Sequence, residues 1–113
     1  MSCNTGPRIV QLPVKGTLES VVLGFDFSDD FTSVDSIVSI VVTVESAPGD
    51  PDPNPTAILS GVATVDSVNL AQVNQRVFGG LDGMQYAVEC TAVGDTGDTL
   101  SIVSLLPVRQ LTG

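Results

Sequence analysis

The chain has 113 residues, with 4 Lys plus Arg against 13 Asp plus Glu, no histidine and a net charge of −9. This length suggests one domain with a single core, and a hydrophobic content of 42% excludes a disordered chain. Four scattered cations (Arg8, Lys15, Arg76 and Arg109) exclude a phosphate-tracking nucleic-acid surface, and no apolar run is long enough for a membrane-spanning helix.

Val, Ile and Thr supply 18, 5 and 10 residues. That bias, with frequent turn punctuation, predicts many short strands. The start, MSCNTGPRIV, has no basic region followed by a long apolar segment, so no secretory signal is expected. Residues 1–16 contain Gly6-Pro7, Pro13 and Gly16. They read as an extended arm, able to pair at a sheet edge around Arg8 to Leu12. The domain proper is expected over 17–113.

A first strand is predicted over 18–27, followed by a turn rich in Asp and Ser. Residues 36–46, SIVSIVVTVES, are the strongest strand. Val38, Ile40, Val42 and Val44 share its core face, and Ile37, Ser39, Val41, Thr43 and Glu45 the other. APGDPDPNP, residues 47–55, has four prolines in nine residues and cannot continue a ladder. It is expected as a stiff, exposed connection. Strand character resumes over 56–65 and again over 72–78, where Val73, Gln75 and Val77 oppose Asn74, Arg76 and Phe78.

Gly79-Gly80 closes that strand, and LDGMQYAVEC follows. Tyr86, Val88, Cys90 and Ala92 point one way; Gln85, Ala87, Glu89 and Thr91 point the other. Residues 93–99 form a hairpin loop, and 100–109 pair back as the last strand, with Pro107 placing its end at a sheet edge. The pattern is all-β: a single Ig-like or fibronectin III-like β-sandwich of about seven antiparallel strands with an extended N-terminal arm. In such sandwiches a Tyr just after a corner buries its ring and bonds its hydroxyl to backbone upstream. Leu81, Gly83 and Tyr86 have that order, close to the L-x-P-G-x-x-Y-x-V pattern of fibronectin type III domains. Tyr86 as an ordinary core or surface aromatic is the alternative. With no Trp and no internally spaced cysteine pair, an antibody-type domain is not indicated.

Chemistry is sparse. Without histidine the commonest general base and the His-containing zinc sites are missing, and two cysteines cannot build a cysteine-only zinc site. No phosphate-binding glycine motif is present. Lys15 is the only lysine that could form a Schiff base, and it lies in the arm. Asp26, Asp29 and Asp30, or Asp82, Asp95 and Asp98, could gather around calcium, but neither group has calcium-loop spacing; turn capping explains them as well. No cofactor and no metal are expected, and no catalysis. Cys90 reads as a buried small hydrophobe; a Cys3–Cys90 bridge is the alternative.

GFDFSDDF, residues 24–31, resembles the F-x-W-S-D-x-L/F strand and turn of the fiber-tail adaptor proteins of tailed bacteriophages, with Phe27 where that pattern has Trp. VFGGLDGMQYAVECTAVGDTGDTL resembles their later segment, with Gly79, Gly80, Gly83, Tyr86, Val88 and Thr99 in matching places. The resemblance covers residues 18–108; the arm and 47–55 depart from it. It implies a non-enzymatic virion structural protein, assembled in the host cytoplasm and repeated by particle symmetry. Such a subunit would be attached to the tail and link it to fibers or other appendages. The partners it implies are other virion proteins (a tail adaptor or nozzle, and a fiber), with no nucleic acid and no membrane. A capsid decoration or cement protein is the alternative in the same class, and a host-binding adhesion module an alternative from another. Arg8, Ile9, Val10 and Leu12 are the candidate arm contacts, unless they form the domain's own edge strand. Asp50, Asp52 and Asn54 are a second candidate contact.

Overall fold

A computed structural model describes residues 8–27, 37–46, 53–68, 70–95, 97 and 99–110, Arg8 by its backbone alone. Eight strands follow in order: β1 (Arg8–Gln11), β2 (Lys15–Gly16), β3 (Ser20–Asp26), β4 (Ile37–Ser46), β5 (Thr64–Val65), β6 (Gln72–Phe78), β7 (Gln85–Gly94) and β8 (Thr99–Arg109). The helical content among the described residues is one 3₁₀ turn, Pro55–Ile58.

The strands form two sheets. One runs β1-β8-β7-β4, with β2 also paired to β8; the other runs β3-β6-β5. Each strand has one apolar face to bury, and the sheets press those faces together. β3 contributes Leu23 and Phe25, β6 Val73 and Val77, β7 Tyr86, Val88, Cys90 and Ala92, and β8 Ile102, Leu106 and Val108. Phe27, just past β3, is fully buried, and its N–H donates to Ala71 O at 2.8 Å. β4, β7 and β8 stand where strands C, F and G of an immunoglobulin-like sandwich stand, and β3, β6 and β5 where B, E and D stand.

The N-terminal strands depart from the expected all-antiparallel arrangement. β1 and β2 both pair with β8 in parallel, Arg8 opposite Ile102 and Lys15 opposite Val108. The described part of the arm is therefore an edge of the sandwich itself, and the chain shows no break between 16 and 17. It follows that β8 is an interior strand where β1 and β2 pair with it, at residues 102–105 and 108–109. Pro107 is not at an edge, because β7 lies on one side and the N-terminal strands on the other. Its missing N–H is harmless for a local reason. The Val108 N–H donates toward β7, to Met84 O at 2.8 Å. Successive strand N–H groups alternate sides, so position 107 faces the gap between β1 and β2.

That gap also reverses the facing of the N-terminal strand. Gln11 is paired with Leu105 and Lys15 with Val108, so four steps on one strand match three on the other. One extra residue flips every later side chain to the opposite face. Lys15 thus shares the inward side of Val108.

Two other expectations are corrected. The register of β4 against β7 shifts between Ile37 and Ser39. Val38 is the bulged residue and is exposed, while Ile37 packs on the core. The strand predicted over 56–65 is largely absent: after the 3₁₀ turn, Leu59 makes a single bridge to Val77, and only Thr64–Val65 pair with β6. Pro55 at the start of that turn fits a first helical position, where no N–H is needed.

Candidate functional site

The corner between β6 and β7 is held by the side chain of Tyr86. The Leu81 N–H donates to Tyr86 Oη at 2.9 Å, and the Tyr86 ring is fully buried. Gly80 has φ +104, and a Cβ there would meet Val108 at 3.1 Å and the Tyr86 ring at 3.2 Å, so glycine is required. Gly83 turns the chain at φ +82 and donates its N–H to Val108 O at 2.8 Å. Asp82 Oδ1 accepts from the Gln110 N–H at 2.8 Å. The Leu81 side chain is half exposed. Its part in the corner is the backbone N–H, not the apolar anchor expected of it.

Among the described residues the one lysine and the one cysteine are both sequestered. Lys15 is only 2% exposed. Its Nζ donates to Gly79 O at 2.6 Å and to Gly16 O at 2.7 Å, tying β2 to the corner. Burial lowers its pKa, opposed by the charge of Glu19. Glu19 Oε1 in turn accepts from the Gly16 N–H at 2.7 Å. Cys90 is a free, fully buried thiol, so the Cys3–Cys90 bridge is not formed. Burial pushes its pKa up to about 12, which leaves it neutral and a poor nucleophile. The inward parity of Cys90 was legible; the burial of Lys15 was not, because the extra residue before it leaves no mark beyond Pro13.

The calcium candidates do not converge among the described residues, where no three His, Cys, Asp or Glu side chains gather. Asp29, Asp30 and Asp98 lie outside those residues.

The candidate interface residues are dispersed. Arg8 to Gln11 pair along β8. Ile9 is 65% exposed on the outer face of the sheet, Val10 lies at its margin, and Leu12 packs on the core. Leu12 is half-buried against the core, facing away from the side that Ile9 exposes. Asn54 is exposed and leads into the 3₁₀ turn, where its Oδ1 accepts from Thr56 Oγ1 at 3.2 Å. Asp50 and Asp52 lie outside the described residues.

The register instead assembles a surface that the sequence did not single out. Across the outer face of the five-stranded sheet, one row reads Ile9, Val103, Glu89, Thr43 and the next Gln11, Leu105, Ala87, Glu45. A third row places Ser101, Thr91 and Val41 side by side, the two hydroxyls bonded at 2.8 Å. Ile9 and Val41 are more than half exposed. These rows contain two glutamates and no lysine or arginine. The outer face of the three-stranded sheet exposes Val22 and Phe78 beside bonded polar side chains: Gln72 Nε2 donates to Asn74 Oδ1 at 2.8 Å, Asn74 Nδ2 to Asp66 Oδ1 at 3.0 Å, and Arg76 to Ser20 Oγ at 3.0 Å.

These features define an immunoglobulin-like β-sandwich closed by a tyrosine corner. No protein-family model matches the chain, and no curated protein matches it as a relative.

Proposed function

We propose that this protein is a non-enzymatic binding module that joins other proteins by surface complementarity. The observation behind this reading is the outer face of the five-stranded sheet. Its rows interleave Ile9, Val103, Leu105, Ala87 and Val41 with Thr, Ser and Gln and with two glutamates that no lysine or arginine of those rows offsets, whereas on the opposite face polar side chains bond to one another beside the exposed Val22 and Phe78. Exposed apolar side chains grouped on one sheet face are a signature of a surface that another protein covers. The sequestered Lys15 and Cys90 argue in the same direction, since neither offers a nucleophile to solvent.

The setting comes from the resemblance of residues 24–31 and 77–100 to the fiber-tail adaptor proteins. The module is then a virion component of a tailed phage, attached to the tail and connecting it to fibers or other appendages, with copies arranged by particle symmetry. The described arm serves the fold as an edge strand; the contact surface is the sheet face beside it.

Electron microscopy of particles carrying a labelled copy of the chain tests this reading. Label at the tail supports the adaptor role. Label on the shell makes the chain a decoration protein. Absence from the particle removes the virion function altogether.

A further inference from the structure

Gln75 lies on the inward face of β6 and is only 2% exposed. Its Nε2 donates to Arg76 O at 2.8 Å and to Gly61 O at 3.2 Å. Both partners are carbonyl oxygens, so the atom facing them must be the amide nitrogen, and the orientation of the group is fixed. The other atom, Oε1, accepts no hydrogen bond from the described residues. A buried acceptor without a donor is costly.

Gln75 lines a cavity of about 200 Å³ at the seam between the sheets, together with Ile40, Val42, Leu59, Val62 and Ala63. Val62 is 87% exposed, so the cavity opens to the surface there. Apart from Gln75 the described side chains that line it are apolar, and none of them is charged. An ammonium or guanidinium would lose its hydration with no counter-charge, so the matching donor is neutral. The volume exceeds the roughly 150 Å³ apolar cavity that accommodates benzene, so a bicyclic ring fits better than a phenol. An apolar bicycle with one N–H is an indole. This chain has no tryptophan, and its one tyrosine is held in the corner. The ring must therefore come from elsewhere.

We infer that this cavity is a binding site for an indole ring, the tryptophan side chain of a partner protein, with Gln75 Oε1 accepting its N–H. This inference rests on the binding-module function and names one anchor for it.

Indole fluorescence tests it directly, because a chain without tryptophan contributes almost no background. Titrating the isolated protein against indole should give a saturable blue shift in the millimolar range or below. Indene, the carbon isostere without the N–H, should compete about tenfold more weakly, the factor that one ordinary hydrogen bond supplies. Ala63→Leu, which fills the cavity without touching Gln75, should melt at or above the wild-type temperature and lose indole binding. It should also weaken incorporation into particles. No saturable shift, equal competition by indene, or unchanged indole binding by Ala63→Leu overturns the site. Lost indole binding with normal incorporation overturns the partner tryptophan as its occupant. Neither result touches the binding-module function, and its virion setting fails separately if the wild-type chain is absent from particles.

Discussion

The hydroxyl of Tyr86 accepts the N–H of Leu81, five residues upstream, at 2.9 Å. This bond spans the passage from β6 in one sheet to β7 in the other. It holds the turn on which three further contacts depend: Lys15 to Gly79, Gly83 to Val108 and Asp82 to Gln110. Tyr86→Phe keeps the buried ring and removes the hydroxyl that the Leu81 N–H bonds to. The expected cost is about 1–2 kcal/mol, read as a lower urea midpoint with an unchanged slope. An unchanged midpoint would mean that the hydroxyl does not fasten the corner.

Gly80 and Gly61 separate strain from packing. Both have positive φ, but a Cβ at Gly61 meets nothing within 4 Å, while one at Gly80 enters Val108 and Tyr86. Gly61→Ala should cost about 1 kcal/mol for the backbone alone. Gly80→Ala should cost about 1–3 kcal/mol more, since core overpacking adds to the strain. Equal losses in paired denaturation curves would contradict the contact geometry at the corner.

Lys15 gives a pH signature. Burial lowers its pKa in the folded state below 10.5, so between those two values the unfolded chain binds more protons. The Lys15 contribution to stability should therefore rise as pH climbs through that window. The difference in unfolding free energy between wild type and Lys15→Met should move in favour of wild type from pH 8 to pH 10.5. A flat difference would place the ammonium in solvent.

Cys90 carries the opposite sign. Its pKa is raised from 9.0 to about 12, so the unfolded thiol ionises first. The benefit of burying it neutral is complete below pH 9.0 and is lost as pH rises toward about 12. Cys90→Ala should thus show a shallower alkaline loss of stability than wild type. On a Cys3→Ser background, the thiol should resist an aromatic disulfide reagent until the protein unfolds. Rapid labelling of native protein would contradict its burial.

The sequence made the alternating strands readable and left their irregularities obscure. β6 and β7 keep strict period two, so their buried residues follow from parity. Tyr86 was legible because a glycine turn and an alternating run frame it. The single-residue insertions were not: Val38 in β4, and the extra step between Gln11 and Lys15, each reverse the facing of their neighbours without a compositional signal. Pro107 misled because a missing N–H marks either a sheet edge or a gap between two strands, and only the pairing distinguishes them. The apolar run 56–65 suits a strand by composition, yet Pro55 starts a 3₁₀ turn instead. The outer sheet face escaped notice because its rows combine residues from β1, β8, β7 and β4, which only the register brings together.

The most direct test of the binding function is particle incorporation of a double variant, Ile9→Asp with Val41→Asp. These residues lie at opposite sides of the outer face, 65% and 55% exposed, and contribute little to the core. The melting behaviour should stay within about 0.5 kcal/mol per site of wild type. The account predicts a folded protein missing from assembled particles. Incorporation at wild-type occupancy would contradict the assignment of this face as the contact surface.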